Sequence, residues 1–144
     1  MALNKARGFT LLELLVVIAV IALGTAGVAL AMRDSAQTSL EREALRLSAL
    51  LDAARSQSRA SGVMVTWQAA QDDAGTPVMR WRGLRSKEPL PTQWLDAQTR
   101  VATPILLVLG PDPVIAPQRV RLTLGTERRD VVTDGVSSFK VEQP

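Results

Sequence analysis

Phe9-Thr10-Leu11-Leu12-Glu13 leads into a run from Leu14 through Met32, LLVVIAVIALGTAGVALAM, in which nineteen residues pass without one charge. At 1.5 Å rise per residue such a stretch covers about 28 Å as a helix, close to the hydrocarbon thickness of a bilayer. The run is therefore expected to cross a membrane. Lys5, Arg7 and the α-amino group precede it closely, which places the amino terminus in the cytoplasm and the bulk of the chain outside. A cleavable secretory signal is the competing reading, because Ala29-Leu30-Ala31 offers the small residues that signal peptidase favours. Against it, the run exceeds the usual apolar core of about 7–15 residues, and Glu13 interrupts its start.

Outward from this segment the helical pattern continues without a breaker: no Pro occurs before Pro77, and no Gly between Gly27 and Gly62. Leu40, Ala44, Leu47, Leu51, Ala54 and Ser58 recur at spacings of four and three, the stripe of an amphipathic helix. Glu41, Arg42, Glu43, Arg46, Asp52, Arg55 and Arg59 take the other positions. A single helix is expected from Thr10 to about Ala60, stopped by Ser61-Gly62. A free coiled coil fits less well, since the stripe lasts only about three heptads before strand-like sequence begins.

From Val63 the alternation has period two. Val63–Gln68 and Val78–Leu84 flank Asp72-Asp73-Ala74-Gly75-Thr76-Pro77 and read as a hairpin. Ser86–Gln98 carries Pro89 and Pro91 and reads as a long loop. Ile105–Leu109 is a short buried run closed by Gly110-Pro111-Asp112-Pro113, whose prolines forbid further ladder pairing. Arg119–Leu124, Asp130–Thr133 and Ser137–Val141 complete the strands, with Asp134-Gly135 as a tight turn and Arg128-Arg129 in a turn of their own. The expected fold class is α+β. A long amino-terminal helix, membrane-spanning in its first half and amphipathic in its second, packs on one small antiparallel sheet. The organisation is residues 1–8 as leader, 9–32 as transmembrane helix, 33–62 as its amphipathic continuation and 63–144 as the β domain.

Composition narrows the function classes. The chain has 144 residues, enough for one modest soluble core once the apolar segment is set aside. Its net charge of +3 owes much to Lys5 and Arg7, so the high pI overstates any global attraction to nucleic acid. Cys and His are both absent, which removes thiol chemistry, Cys-based metal sites and the commonest general base near neutral pH. Asp72, Asp73, Asp112, Asp130 and Asp134 are candidate carboxylates for catalysis or calcium, yet all lie where Asp serves its own turn. Ser137-Ser138 has no His to activate it, and no glycine-rich phosphate loop occurs. Neither catalysis, a resident metal nor a cofactor is expected.

The block Arg7-Gly8-Phe9-Thr10-Leu11-Leu12-Glu13-Leu14 resembles the signal of type IV pilins and type II secretion pseudopilins: a basic leader ending in Gly, then Phe, then Glu five residues into the mature chain. The remainder resembles the H-type minor pseudopilins at Leu50–Gly62, at Gly110-Pro111-Asp112-Pro113-Val114-Ile115-Ala116-Pro117 and at Thr133-Asp134-Gly135 before Phe139. The resemblance implies that prepilin peptidase cuts between Gly8 and Phe9 and N-methylates Phe9. It implies a pilin-like fold and a structural role in the tip or initiation complex of a secretion pseudopilus, assisting export of folded proteins across the outer membrane. Partners are then the I-, J- and K-type minor pseudopilins and the major pseudopilin, at the bacterial inner membrane with the β domain periplasmic. The major subunits carry a Pro where this chain has Val28, Ala29 and Leu30, a departure that points to a minor subunit with a continuous helix.

Glu13 is the assembly candidate. An ionisable group in hydrocarbon costs about 2.5–3.5 kcal/mol on insertion scales, so it is expected to have a partner, the amino-terminal cation of a neighbouring subunit. A Glu solvated at the headgroup boundary is the plainer reading. The rival function is DNA capture by a minor type IV pilin: Arg80 with Arg82, Arg119 with Arg121, and Arg128 with Arg129 would form a phosphate-binding stripe, with Trp81 or Trp94 stacking on bases. Alternating Arg is more often a strand's solvated face, and Trp67, Trp81 and Trp94 more often core, so nucleic acid is not the expected partner.

Overall fold

The computed structural model describes residues 10–86, 88–102 and 105–143, with side chains for all of them except 25–34. It is α+β: helix α1 (Leu11–Ser61), then strands β1 (Thr66–Gln71), β2 (Pro77–Arg82), β3 (Arg100–Val101), β4 (Leu106–Val108), β5 (Gln118–Leu124), β6 (Glu127–Thr133) and β7 (Lys140–Glu142). The chain divides into two units, Met1–Ser35 and Ala36–Pro144. In the first, α1 runs on through Val28, Ala29 and Leu30 without a break.

In the second unit, period-3.6 spacing turns Leu40, Ala44, Leu47, Leu51 and Ala54 to one side, and all five are fully buried. Each leucine contributes about 1.5–3 kcal/mol by leaving water. They share one cluster with Val65, Trp67, Met79, Leu107 and Leu109, and with Val120, Leu122, Leu124, Val131 and Phe139. Gly62, at φ 66°, takes the left-handed conformation that ends the helix.

The sequence suggested one sheet; the strands form two. β2-β1-β4 make a three-stranded antiparallel sheet, and β3-β5-β6-β7 a four-stranded one. The hairpin begins later than expected, at Thr66, because its partner strand ends at Arg82. Gly83 follows at φ 85°, so close to the Met64 carbonyl that an added Cβ would sit 2.0 Å from its oxygen. Asp72 closes the other end, its Oδ1 accepting from Ala74 N at 3.0 Å and Thr76 N at 2.8 Å.

The Ser86–Gln98 stretch is without a strand but is tied in place. Thr92 O accepts from Met79 N at 2.6 Å, Gln93 bridges Val78, and Trp94 enters the core. Its ring lies 6.4 Å from that of Trp67, edge-on, and the Trp81 ring lies 6.4 Å from Trp67 at a tilt of 59°. Arg128 and Arg129, expected in a turn, belong to β6, which pairs with β5 as far as Leu124 opposite Glu127. The turn is only Gly125-Thr126, with Gly125 at φ 58°. Strand β7 starts at Lys140 rather than Ser137 because Ser137 is drawn into the preceding loop.

Candidate assembly segment and cationic surfaces

Helix α1 opens with a cap that its sequence encodes. Thr10 Oγ1 accepts from Glu13 N at 3.2 Å and Thr10 O from Leu14 N at 3.2 Å, so Thr10 and Glu13 occupy the N-cap and N3 positions of a capping pattern. The Thr-x-x-Glu spacing of Thr10 and Glu13 is the sequence signal for this role. The first turn also suits a carboxylate, since the helix dipole is positive there. Among the described residues nothing pairs with the Glu13 carboxylate, and the residue is exposed. Gly8 and Phe9 lie outside the described residues.

Beyond the cap every described apolar side chain is exposed, from Leu11 at 81% to Leu23 at 76%. A continuous apolar surface of this kind calls for lipid or other helices around it. Among the described residues no helix is long and apolar enough to cross a membrane. The expected span also draws on the side chains of 25–34, which lie outside them.

In the second unit several positions assigned to the helix's polar side turn inward and fasten the β region. Glu43, 1% exposed, accepts from Leu95 N at 2.6 Å through Oε2 and pairs with Arg46 at 3.3 Å through Oε1. Arg46 also donates to Gln93 O at 3.0 Å, so two helix residues hold the segment that inserts Trp94. Glu41 meets the inward-facing Arg129 at 2.6 Å.

Among the described residues Arg55 is the least exposed cation. It is 4% exposed and donates to Ser137 O at 2.9 Å, to Pro113 O at 3.2 Å and to Gly135 O. Arg59 adds a bond to Pro113 O at 2.6 Å, Ile115 N donates to Gly135 O at 3.1 Å, and Phe139 N donates to Asp52 at 3.2 Å. Burial first, then Arg59, pulls the Arg55 guanidinium below its usual range, while Asp52 and Asp134 oppose the shift. The helix end, the Gly110–Pro117 loop and the Thr133–Gly135 turn thus meet around one side chain. Gly135, at φ 91°, stands so close to Ile115 O that an added Cβ would lie 1.9 Å away.

The six arginines proposed as a phosphate stripe are divided between the two sheets. Arg80 and Arg82 stand exposed on β2. On β5, Arg121 grips Asp130 with two bonds of 2.8 Å and Arg119 reaches the same carboxylate. The Asp130 side chain is wholly buried beneath them, and Arg121 chiefly holds its carboxyl below the usual range, against desolvation. Arg121 itself is raised by that bond. Arg129 faces the core, leaving Arg128 exposed. Among the described residues no group of carboxylates could hold a metal ion. Asp134 caps its own turn through Val136 N at 2.9 Å and Ser137 N at 2.7 Å, bonds that keep its carboxyl below the usual range.

Residues 3–29 match the prokaryotic N-terminal methylation motif. No curated protein and no solved structure matches the chain. The motif spans the basic leader, the Gly8-Phe9 junction, Glu13 and most of the apolar run, and it supports a type IV pilin-like protein, pilin or pseudopilin, with a membrane-anchoring amino-terminal segment typical of pilins.

Proposed function

We propose that this chain is a minor pseudopilin of the H type, a structural subunit of the tip or initiation complex of a type II secretion pseudopilus. It acts without catalysis of its own. Prepilin peptidase cuts before Phe9 and methylates it, and the chain stays in the inner membrane with Ala36–Pro144 in the periplasm. There it joins the I-, J- and K-type minor pseudopilins and the major pseudopilin.

The methylation motif over residues 3–29, running into a capped helix whose Glu13 has no partner among the described residues, supports the pilin-like part of this reading, and the H type rests on the sequence resemblance at Leu50–Gly62, Gly110–Pro117 and Thr133–Gly135. An unpaired carboxylate in the first turn of an exposed apolar helix suits the methylated amino terminus of a neighbour, each charge neutralising the other in the dry interior of a filament. The DNA-capturing alternative loses support, because Arg119, Arg121 and Arg129 already hold carboxylates.

Glu13→Val tests the assembly role. The variant is cut and retained in the membrane as the native chain is, yet co-purifies several-fold less with the other minor subunits and fails to restore export in a strain lacking this chain. Full restoration by Glu13→Val would remove the charge pairing from the account.

A further inference from the structure

Two surfaces of the Ala36–Pro144 unit complement each other. On the three-stranded sheet Trp67, Met79 and Leu107 face the core, so Arg80, Arg82, Leu106 and Val108 stand on the outer side. The register sets Arg82, Thr66 and Val108 in one row and Arg80, Gln68 and Leu106 in the next. Cations line one margin of this face and aliphatic side chains the other, with Leu106 57% and Val108 40% exposed. Among the described residues neither Arg80 nor Arg82 has a carboxylate partner, in contrast to the paired Arg119, Arg121 and Arg129.

The second surface is the pair of loops braced by Arg55. They present Val114 and Val136, 62% and 67% exposed, beside the exposed Asp112 and Asp134. The guanidinium bonds of Arg55 and Arg59 go to main-chain oxygens of the same loops, while Asp112 has no partner among the described residues and Asp134 is held ionised by its turn. Such bracing lowers the ordering cost of docking.

We propose that this knob of one copy docks on the outer sheet face of a second copy, with Asp112 and Asp134 against Arg80 and Arg82 and with Val114 and Val136 on Leu106 and Val108. A polyanion fits the face poorly, since the margin opposite the two arginines is the aliphatic pair Leu106 and Val108. A knob-to-face contact is heterologous, so it repeats head to tail instead of closing on itself at once. It stands whether the chain serves secretion or a pilus.

The chain contains no Cys, so engineered cysteines report the contact cleanly. Full-length copies bearing Leu106→Cys with one tag and Val114→Cys with another, co-expressed and mildly oxidised in the membrane, form a mixed disulfide dimer. Adding Arg80→Glu and Arg82→Glu to the Leu106→Cys copy lowers its yield about tenfold or more. Asp112→Arg in the other copy restores part of it. The proposal is overturned if no mixed dimer forms while both variants accumulate, if its yield ignores charge reversal, or if only two Leu106→Cys copies cross-link. It is equally overturned if the mixed dimer is absent and the native chain retains duplex DNA or phosphatidylglycerol vesicles that the double Glu variant releases.

Discussion

Arg55→Met leaves the main-chain oxygens of Pro113, Gly135 and Ser137 without their shared donor, and only Arg59 then ties the Pro113 loop to the helix. The expected cost is about 2–4 kcal/mol, read from the denaturant midpoint. Arg55→Lys recovers little of it, because an ammonium cannot fan across carbonyls that a planar guanidinium reaches together. Asp130 supplies the pH-dependent counterpart. Its folded carboxyl titrates below the usual range, chiefly through Arg121, so its contribution is complete above the unfolded value of about 3.9 and is lost as pH falls through the folded one. Asp130→Asn is therefore less stable than the native chain at neutral pH, by about 1–2 kcal/mol because Arg119 and Arg121 stay largely in water. The gap narrows as pH falls below the unfolded value and closes as it passes through the folded one. Parallel curves for the two proteins across that range would show that the pair has no role in acid stability.

At the scale of elements, Glu43 is the anchor for the Ser86–Gln98 stretch. Glu43→Ala frees Leu95 N and Arg46 and loosens Trp94, so tryptophan fluorescence shifts to the red and stability falls by about 2–3 kcal/mol. An unchanged spectrum would show that Trp94 is seated by packing alone. The helix with its Gly62 stop, the first hairpin and strands β4 to β7 were legible in the sequence, since period and turn residues encode them locally. The two-residue β3 was not, because Arg100-Val101 has no period of its own and is defined only by Thr123 and Leu122 opposite. Nor was the division into two sheets, which depends on pairing between distant strands. Polarity misled in one consistent way: Glu43, Arg55 and Arg129 read as solvated yet are buried, each supplied with partners that lie 52 to 88 positions away in the chain. Arg119 and Arg121 could be offered as part of a rival phosphate stripe because Asp130 was placed at the start of a strand, whereas it lies directly across from Arg121.

For the whole molecule, the account rests on an amino-terminal segment that is cut, methylated and kept in the membrane, with the Ala36–Pro144 unit free to meet other subunits. The methylation motif over residues 3–29 and the capped helix at Thr10 both bear on where the mature chain begins. The direct measurement is mass spectrometry of the amino terminus of the chain purified from membranes, beside a Gly8→Leu variant. The account predicts a native chain that starts at Phe9 with one N-methyl group and a variant that stays uncut in the membrane. A native chain that starts at Met32, released after Ala29-Leu30-Ala31, would contradict it.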